Sequence, residues 1–415
     1  MKFEFIGNAC GIFYGSKGTK LLCDPWIENG VFDGSWFHYP PLETSFKDIQ
    51  NIDLIYLSHI HQDHYDDRFF DFPKDTPIVV LDDKFNFLIG NLERKGYTNL
   101  LKIRDGETLK FREFKITLYA PFAKNNFFDA GIGNLIDSAM VIENDQTIVN
   151  FNDNTPTPEA CKILKKKFKK FDLAMINYNA AGPYPSCFKN LSYEEKINSH
   201  NNIISRNLNY MASLINILTP SRVLPFAGSY VIGGFLAYKN EYLGTITWDE
   251  CREYLHNKVK NSIEVICLRD KDIFDLETGK SNNPYVPIDK AHMLKYINKI
   301  SGSIYPYEKD QYPEINRLMH DIKIASRNME ERINNIGIKL TTSIAIDINK
   351  KEVLIFKPEN PSQKLVCYID LRLLRRILDR LSHWNNAEIG CHIDFFRTPN
   401  NYEPDVHNAL QFFHI

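Results

Sequence analysis

The sequence predicts a layered α/β fold, with sheets inside and helices outside, followed by a smaller α+β extension. Short apolar runs broken by glycine fill the first part of the chain, and helix-like segments separate the later runs. A polar, turn-rich stretch at residues 276–287 then precedes a second set of helices and strands. Because strands that alternate with flanking helices pack as layers, we expect two units, residues 1–275 and residues 285–415.

The elements follow from local pattern. Residues 52–60, IDLIYLSHI, are apolar on both faces, as a strand covered on both sides should be. The stretch YEEKINSHNNIISRNLNYMASLINIL at 193–218 predicts a long helix, and a further helix should start at Thr247 or Asp249. The other predicted strands of the first unit are 2–9, 11–16, 19–26, 76–83, 114–120, 138–145, 146–153, 172–179, 222–229 and 263–268.

Composition excludes several classes of protein. The chain has 415 residues, which is more than one core usually fills, and its formal net charge is -2. That charge argues against nucleic acid or an anionic membrane as the partner. No stretch approaches the roughly 18 apolar residues of a transmembrane helix. The amino terminus is not typical of a secretory signal, and the eight cysteines are scattered, so we expect free thiols and a cytoplasmic location.

Polar metal-binding groups follow the buried run directly. Residues 55–67 read IYLSHIHQDHYDD. Alternate side chains of a strand point the same way, so His59 and His61 should share a face, and a small turn would bring Asp63 and His64 to the same pocket. The alternative is a polar surface loop, but such a cluster after a buried strand favours a bound cation. Imidazole and carboxylate suit zinc, iron or manganese.

The motif SHIHQDH, the upstream LLCDPW and the downstream NFND resemble the metallo-β-lactamase superfamily. This resemblance implies a four-layer αββα sandwich with one or two divalent metal ions at the edge of its two sheets. Asp24 of LLCDPW matches the aspartate that supports the motif loop.

The resemblance also implies the ligands. It assigns His59 and His61 to a first ion, Asp63 and His64 to a second, and Asp153 to a position between the two. Asp63 would be a ligand or a proton acceptor, and it is the predicted catalytic residue.

Further motifs are similar to the metallo-β-lactamase-type part of CMP-N-acetylneuraminate hydroxylases and their bacterial relatives. These motifs are DPWIENGVFDGSWFHYPPL, GIGNLIDSAMVI, NFNDN, PFAGSY and, near the carboxyl end, HWNNAEIGCHIDFFRTPNNYEPDV. The same branch resembles N-acyl-phosphatidylethanolamine phospholipase D. The resemblance implies a small-molecule substrate such as a sugar or nucleotide sugar.

Two histidines of the family pattern are absent. Where the first is expected, the chain has Phe122 or Ala123, and where the second is expected it has Thr245. Asp129 or Asp137 could supply oxygen ligands instead, and an oxygen-rich site favours iron or manganese over zinc. The alternatives are that these aspartates cap loops, or that His59, His61, His64 and Asp153 hold a single ion.

Four residues are candidate substrate contacts: Trp36, Tyr178, Tyr184 and Thr245. The alternative for the aromatic residues is ordinary packing.

Three functions follow in order. The first is a metal-dependent hydrolase that attacks a phosphoryl or acyl centre. The second is an iron-dependent oxygenase, which would need a separate electron donor because the chain lacks the Cys-x-His and Cys-x-x-His ligands of an iron–sulfur domain. The third is a non-catalytic scaffold with a decayed site. The second unit could cover the site or form a homodimer.

Overall fold

The computed structural model describes residues 1–84, 86–122 and 137–415. The strands are β1 Lys2–Gly7, β2 Cys10–Tyr14, β3 Lys20–Cys23, β4 Trp36–Phe37, β5 Leu54–Tyr56, β6 Ile78–Leu81, β7 Leu100–Ile103, β8 Thr108–Phe111, β9 Phe114–Tyr119, β10 Ala139–Glu143, β11 Thr147–Asn150, β12 Leu173–Ile176, β13 Arg222–Pro225, β14 Val231–Ile232, β15 Glu264–Val265, β16 Asp272–Asp275, β17 Lys280–Ser281, β18 Thr342–Ile348, β19 Lys351–Phe356, β20 Gln363–Tyr368 and β21 Asp394–Thr398.

The α-helices are α1 Phe87–Arg94, α2 Pro158–Phe168, α3 Tyr193–Leu218, α4 Trp248–His256, α5 Lys290–Ile300, α6 Ile315–Asn335, α7 Leu371–Leu378, α8 Trp384–Ile389 and α9 Pro404–Leu410. Two further segments, Gly234–Tyr242 and Pro306–Lys309, form 3₁₀ helices. Helix α4 begins after Thr247, whose side chain accepts from the backbone N–H of Glu250 in a capping box. Of the two predicted starts, Thr247 and Asp249, the structure has Thr247 as the capping residue.

Two large sheets form the first half of the chain. One has the strand order β17-β16-β1-β2-β3-β5-β6-β7, and the other has the order β15-β13-β12-β11-β10-β9-β8. Their facing sides share one apolar core, in which Phe3 and Phe13 of the first sheet lie with Ile116 and Val149 of the second. The two sheets therefore stack as a sandwich.

Helices cover the outer faces of this sandwich. Leu88 and Leu92 of α1 pack with Ile55 and Val80 on the outer face of the first sheet. Helices α2, α3 and α4 contribute buried residues to the core of the second sheet. This order of layers confirms the predicted α/β layered fold.

The carboxy-terminal half contains a four-stranded sheet of order β19-β18-β20-β21 with helices α6 to α9. Its core also takes in residues from the first half, among them Trp26, Phe32, Trp36 and Phe188. The backbone N–H of Phe395 also donates to the carbonyl of Cys187 at 2.8 Å. The division near residues 275–285 stays a prediction, and these contacts show that apolar packing crosses it.

The ends of parallel strands meet at one edge of the sandwich. Strands β3 and β5 run parallel, so Asp24 and Ser58, which follow them, lie side by side. In the second sheet β11 and β12 run parallel, and Asp153 follows β11. Because open sheets bind ligands beyond the carboxyl ends of their strands, this edge is where a site is expected. Among the described residues, no helix is both long and apolar enough to cross a membrane.

Candidate metal centre

The histidine motif forms a tight turn just after β5. The backbone N–H groups of His64 and Tyr65 both donate to the carbonyl of His61, at 3.0 and 2.8 Å. This turn carries the buried side chains of His59, Asp63 and His64 toward the gap between the two sheets. The predicted clustering of the motif side chains is therefore present in the structure.

The motif and Asp153 form a first group of donor atoms. His59 Nε2 lies 2.9 Å from His61 Nδ1 and 3.8 Å from Asp153 Oδ2. One ligand atom from each of these three residues lies within 4.8 Å of the others. Asp137 Oδ1 is 3.6 Å from His59 Nε2, so a second carboxylate faces the same atoms.

A second group lies beside the first and also uses Asp153. His64 Nε2 is 3.5 Å from Asp63 Oδ2 and 3.4 Å from Asp153 Oδ2. The ligand atoms of this trio also lie within 4.8 Å of one another. Asp153 is therefore common to both groups, as the sequence resemblance implies.

A buried hydrogen-bond network behind the motif fixes the ring nitrogens. Ser58 donates its backbone N–H to Asp24 Oδ1 and its hydroxyl to Asp24 Oδ2, each at 2.8 Å. Since a hydroxyl has one hydrogen, Ser58 Oγ accepts from His59 Nδ1, which is 3.0 Å away. A neutral His59 then presents a lone pair on Nε2 to the first group.

His64 is held in the same way. Its Nδ1 lies 2.9 Å from Asp24 Oδ2 and donates to that carboxylate, so Nε2 is the atom left to face the second group. Among the described residues, His64 Nε2 is buried without a hydrogen-bond partner. Buried polar atoms are normally paired, so this unpaired ring nitrogen, which faces the carboxylates of Asp63 and Asp153, is open to a ligand.

Two asparagines orient the carboxylates. Asn8 Nδ2 donates to Asp63 Oδ2 at 3.0 Å, while Asn8 Oδ1 accepts from the backbone N–H groups of Gly228 and Ser229. Asn177 Nδ2 donates to Asp153 Oδ1 at 3.0 Å. Each carboxylate thus keeps its other lone pairs for the centre of the site.

The pKa shifts of the imidazoles reflect this crowding. Burial lowers the pKa of His59 well below its ordinary value, and the neighbouring His64 and His61 lower it further. Burial alone would also lower the pKa of His64, but Asp63, Asp153 and Asp24 together raise it well above the ordinary value. The pocket around His64 therefore stabilises a positive charge.

The pKa values of the two carboxylates, Asp63 and Asp153, shift in opposite directions. Burial raises the pKa of Asp63, and the nearby charge of Asp153 adds to that rise, although His64 opposes it. Burial would raise the pKa of Asp153 too, yet the imidazoles of His64, His59 and His61 hold it well below its usual range. A cation between the two groups would relieve the repulsion between Asp63 and Asp153.

The donor set fits a divalent metal ion. Imidazole nitrogens and carboxylate oxygens face inward, the outer nitrogens of His59 and His64 are engaged, and one inward nitrogen is orphaned. Outer partners of this kind are what orients metal ligands in known sites. We therefore treat this edge of the sandwich as a candidate metal centre.

The residues predicted at or near the place of the first absent family histidine are Phe122, Ala123, Asp129 and Asp137. Asp129 and Ala123 lie outside the described residues. Phe122 donates its backbone N–H to Asn154 Oδ1 at 3.0 Å, and its ring packs on Tyr119 and Phe151. Phe122 therefore has a packing role in place of a metal ligand, and the carboxylate that faces His59 is that of Asp137.

Trp36 and Tyr178 are predicted from the sequence as candidate substrate contacts, but the structure places both in the protein interior. The Trp36 ring is 1% exposed, stacks on Tyr230 with centroids 3.4 Å apart, and meets Phe32 edge-on at 4.6 Å. Tyr178 is also buried, and its hydroxyl lies 3.3 Å from Ser229 Oγ. Because both rings are enclosed by protein, they pack the core rather than contact a substrate.

Tyr184 and Thr245 occupy other places. Tyr184 is exposed, and its hydroxyl lies 3.0 Å from Ser199 Oγ. Thr245 is partly exposed in a segment whose backbone is bound on either side by Ala180 and Asn179. Their roles stay predictions.

The sequence pattern missed four polar residues that hold the centre: Ser58, Asn8, Asn177 and Asn385. Ser58 is the residue before the first motif histidine, so its place beside Asp24 could have been read from the parallel strands. The three asparagines are neutral and lie far from the motif in sequence, so no spacing rule points to them. Asn385 Oδ1 lies 3.0 Å from His61 Nε2, and this contact comes from the carboxy-terminal half.

Asp24→Ala is expected to destabilise the metal-free protein by roughly 3–5 kcal/mol, because two donors of Ser58 and one of His64 lose a buried acceptor. Asp24 also has a φ of 40°, which aspartate and asparagine tolerate better than alanine. Urea unfolding followed by circular dichroism measures the change. Asp24→Asn, which keeps one acceptor and the backbone preference, should lose less. An Asp24→Ala protein within about 1 kcal/mol of wild type would contradict this supporting role.

Known proteins are similar to parts of this chain. No protein-family model matches the chain. A protein of Mycolicibacterium smegmatis named for a Rieske 2Fe-2S iron–sulfur centre is 29% identical over 200 residues, which are 45% of this chain and 36% of that protein. Cytidine monophosphate-N-acetylneuraminic acid hydroxylase of Pongo pygmaeus is 23% identical over 317 residues, 74% of this chain and 49% of the hydroxylase. The chain thus spans half or less of the length of these two relatives.

Several solved structures are also similar to this chain. They include CmlA, a diiron β-hydroxylase from Streptomyces venezuelae, at 18% identity and TM-score 0.44 over 64% of this chain and 53% of that one. An isothiocyanate hydrolase from Delia radicum gut bacteria has 18% identity and TM-score 0.47 over 66% and 99% of the two chains. The metallo-β-lactamase fold protein YhfI from Bacillus subtilis has 15% identity and TM-score 0.42 over 66% and 99%.

The predicted resemblance to CMP-N-acetylneuraminic acid hydroxylases is confirmed, because these hydroxylases are among the similar sequences. One of the similar solved structures is named as a metallo-β-lactamase fold protein. The similar proteins include hydrolases as well as hydroxylases.

Proposed function

We propose that this chain is a metal-dependent hydrolase of the metallo-β-lactamase type, acting on a phosphoryl or acyl centre of a small molecule. One observation carries the proposal: two groups of donor atoms share Asp153, and the inward nitrogen of His64 is buried between carboxylates without a hydrogen-bond partner. A structural polar cluster would be expected to satisfy that atom.

Both proposed ions have named ligands. His59, His61 and Asp153, with Asp137 beside them, would hold one ion, and Asp63, His64 and Asp153 would hold the other. Bound divalent ions supply Lewis acidity, which polarises the scissile phosphoryl or acyl group and acidifies the water nucleophile. A centre with this many carboxylates admits iron or manganese as well as zinc.

The chain itself supplies a proton acceptor. Asn8 Nδ2 donates to Asp63 Oδ2 at 3.0 Å and orients this buried carboxylate, whose pKa burial raises above its ordinary value. A carboxylate positioned in this way can act as a general base. Asp24 and Ser58 hold His59 and His64 in the ring orientation that keeps Nε2 pointed inward. These contacts preorganise the site before substrate binds.

A nucleotide-linked or acylated sugar is the proposed substrate class. Its support is the sequence similarity to CMP-N-acetylneuraminic acid hydroxylases over 74% of this chain. A cytoplasmic location is part of the proposal because all eight cysteines are free and buried thiols.

An iron-dependent hydroxylase of an amino sugar or nucleotide sugar is the second candidate. The position of Asp137 favours it, because this carboxylate faces His59 and makes the donor set as rich in carboxylates as in imidazoles. Hydroxylation would consume molecular oxygen and two electrons, so this candidate requires a separate electron-donor protein.

The metal content of freshly purified protein, measured by elemental mass spectrometry, tests the proposal. We expect about two ions per chain at saturation, and turnover of a CMP-linked or acylated sugar that is the same with and without oxygen. Protein stripped with a chelator should be inactive until metal is restored. Iron together with product formation that requires oxygen and a reductant would replace the hydrolase by the second candidate. Protein that takes up no metal would overturn both and indicate a decayed site.

A further inference from the structure

A side chain of the carboxy-terminal half reaches the candidate metal centre. Asn385, on helix α8, places Oδ1 3.0 Å from His61 Nε2, across 324 residues of sequence. An amide oxygen accepts hydrogen bonds and cannot donate one. The contact therefore requires the proton of His61 to sit on Nε2.

This contact decides which nitrogen of His61 can bind a metal ion. A neutral imidazole with its proton on Nε2 has its lone pair on Nδ1. Nδ1 is the atom of His61 that faces the centre, 2.9 Å from His59 Nε2. Asn385 thus accepts a hydrogen bond from the outer ring nitrogen of His61. Ser58 accepts from His59 and Asp24 accepts from His64 in the same way.

Helix α8 is a rigid support for this contact. Trp384 is buried, and its indole N–H donates to Glu388 Oε1 at 2.8 Å, which also lies 3.0 Å from His407 Nδ1. At the end of the helix, the indole N–H of Trp36 donates to the carbonyl of Ile389 at 3.2 Å. The helix is therefore tied both to its own half and to the aromatic cluster of the first half.

The end of α8 packs closely against residues 32–35. A Cβ added to Gly390 would lie 2.7 Å from the carbonyl oxygen of Phe32 and 2.8 Å from Ser35 Oγ. The backbone N–H of Phe32 in turn donates to Gln62 Oε1, inside the histidine motif. The position of Asn385 is thus linked through residues 32–36 to the loop that carries the proposed ligands.

We propose that Asn385 is a positioning residue for the metal ligand His61, and that the carboxy-terminal half is in this way part of the metal centre. Asn385 fixes the ring orientation and the tautomer in which Nδ1 is free to bind. The inference rests on the proposed metal centre and not on whether the reaction is hydrolysis or hydroxylation.

Three variants test this role in the full-length protein. Asn385→Leu removes the acceptor at similar size. Asn385→Asp keeps an oxygen that accepts from His61 Nε2. Asn386→Ala, on the same helix, is the matched control. Affinity for cobalt(II) is measured by competition with a chelator, the visible spectrum of the bound cobalt reports its ligand geometry, and the thermal midpoint of the metal-free protein reports folding.

We expect Asn385→Leu to weaken cobalt binding about 10- to 100-fold and to change the spectrum of one cobalt population, as loss of an outer partner of a metal ligand does. Asn385→Asp and Asn386→Ala should bind cobalt as wild type does. Unchanged affinity and spectrum in Asn385→Leu would overturn the inference while leaving the proposed function intact. A lower thermal midpoint in Asn385→Leu with an unchanged cobalt spectrum would also overturn it, since it would make the contact a docking contact alone. A wild-type protein that binds no cobalt would overturn the proposed function and this inference together.

Discussion

Replacing Asp153 by alanine should empty both halves of the proposed metal centre. Asp153 Oδ2 is 3.8 Å from His59 Nε2 and 3.4 Å from His64 Nε2, so its loss leaves each donor group incomplete. Loss of an outer partner of a metal ligand weakens metal affinity about 10- to 100-fold. Loss of Asp153, a ligand shared by both groups, should weaken metal affinity by more than about 100-fold. Metal content after dialysis against buffer, measured beside turnover, checks this.

Asp145→Ala is the matched control, because Asp145 is exposed in the turn between β10 and β11, a few residues before Asp153. It should retain wild-type metal content. The metal-free Asp153→Ala protein should keep its circular dichroism spectrum, because Asp153 is partly exposed and lies after the end of β11, outside the hydrogen-bonded ladder of the sheet. Retention of two tightly bound ions by Asp153→Ala would refute the shared-ligand arrangement.

Asp63→Asn should lower turnover by about 10²- to 10⁴-fold, the range that a positioned proton acceptor contributes. The change preserves size, and the new amide can still accept from Asn8 Nδ2 through its oxygen. The fold should therefore survive, which separates chemistry from stability. Steady-state kinetics at several pH values, with metal content measured on the same samples, provides the comparison.

Asp67→Asn serves as the control for that variant, since Asp67 is an exposed aspartate four residues along the same loop. Its turnover should match wild type. If a folded, metal-loaded Asp63→Asn protein turned over normally, Asp63 would be neither proton acceptor nor essential ligand, and the hydrolytic mechanism would fail.

Much of the fold could be predicted because its signals are local. The helix at 193–218 appears with those bounds as α3, since its apolar spacing lies within the segment and its capping box begins at the preceding residue, Ser192. The predicted strand at 52–60 shortens to β5, Leu54–Tyr56, because the chain leaves the sheet to form the histidine loop. Periodicity marks where apolar residues lie, but it does not mark where a strand gives way to a site.

Some residues of the candidate site could be predicted from the sequence, and others could not. The motif residues are close in sequence, so their clustering followed from spacing, and Asp153 followed from the resemblance. Asn8 and Asn385 are single neutral residues whose contacts with Asp63 and His61 form only when distant parts of the chain pack together. Trp36 illustrates the opposite error: an aromatic in a loop suits stacking on a ligand, but only tertiary structure reveals that Tyr230 covers its face.

Trp26, Phe32 and Trp36 pack in the carboxy-terminal core, and this packing limits where the gene can recombine. Recombination between homologous genes preserves function when its crossovers fall where few contacts are severed. A crossover near residue 280 would separate residues 26–36 from the carboxy-terminal residues on which they pack. Chimaeras of this protein with a homologue should therefore fold when residues 26–36 and the carboxy-terminal half come from the same parent.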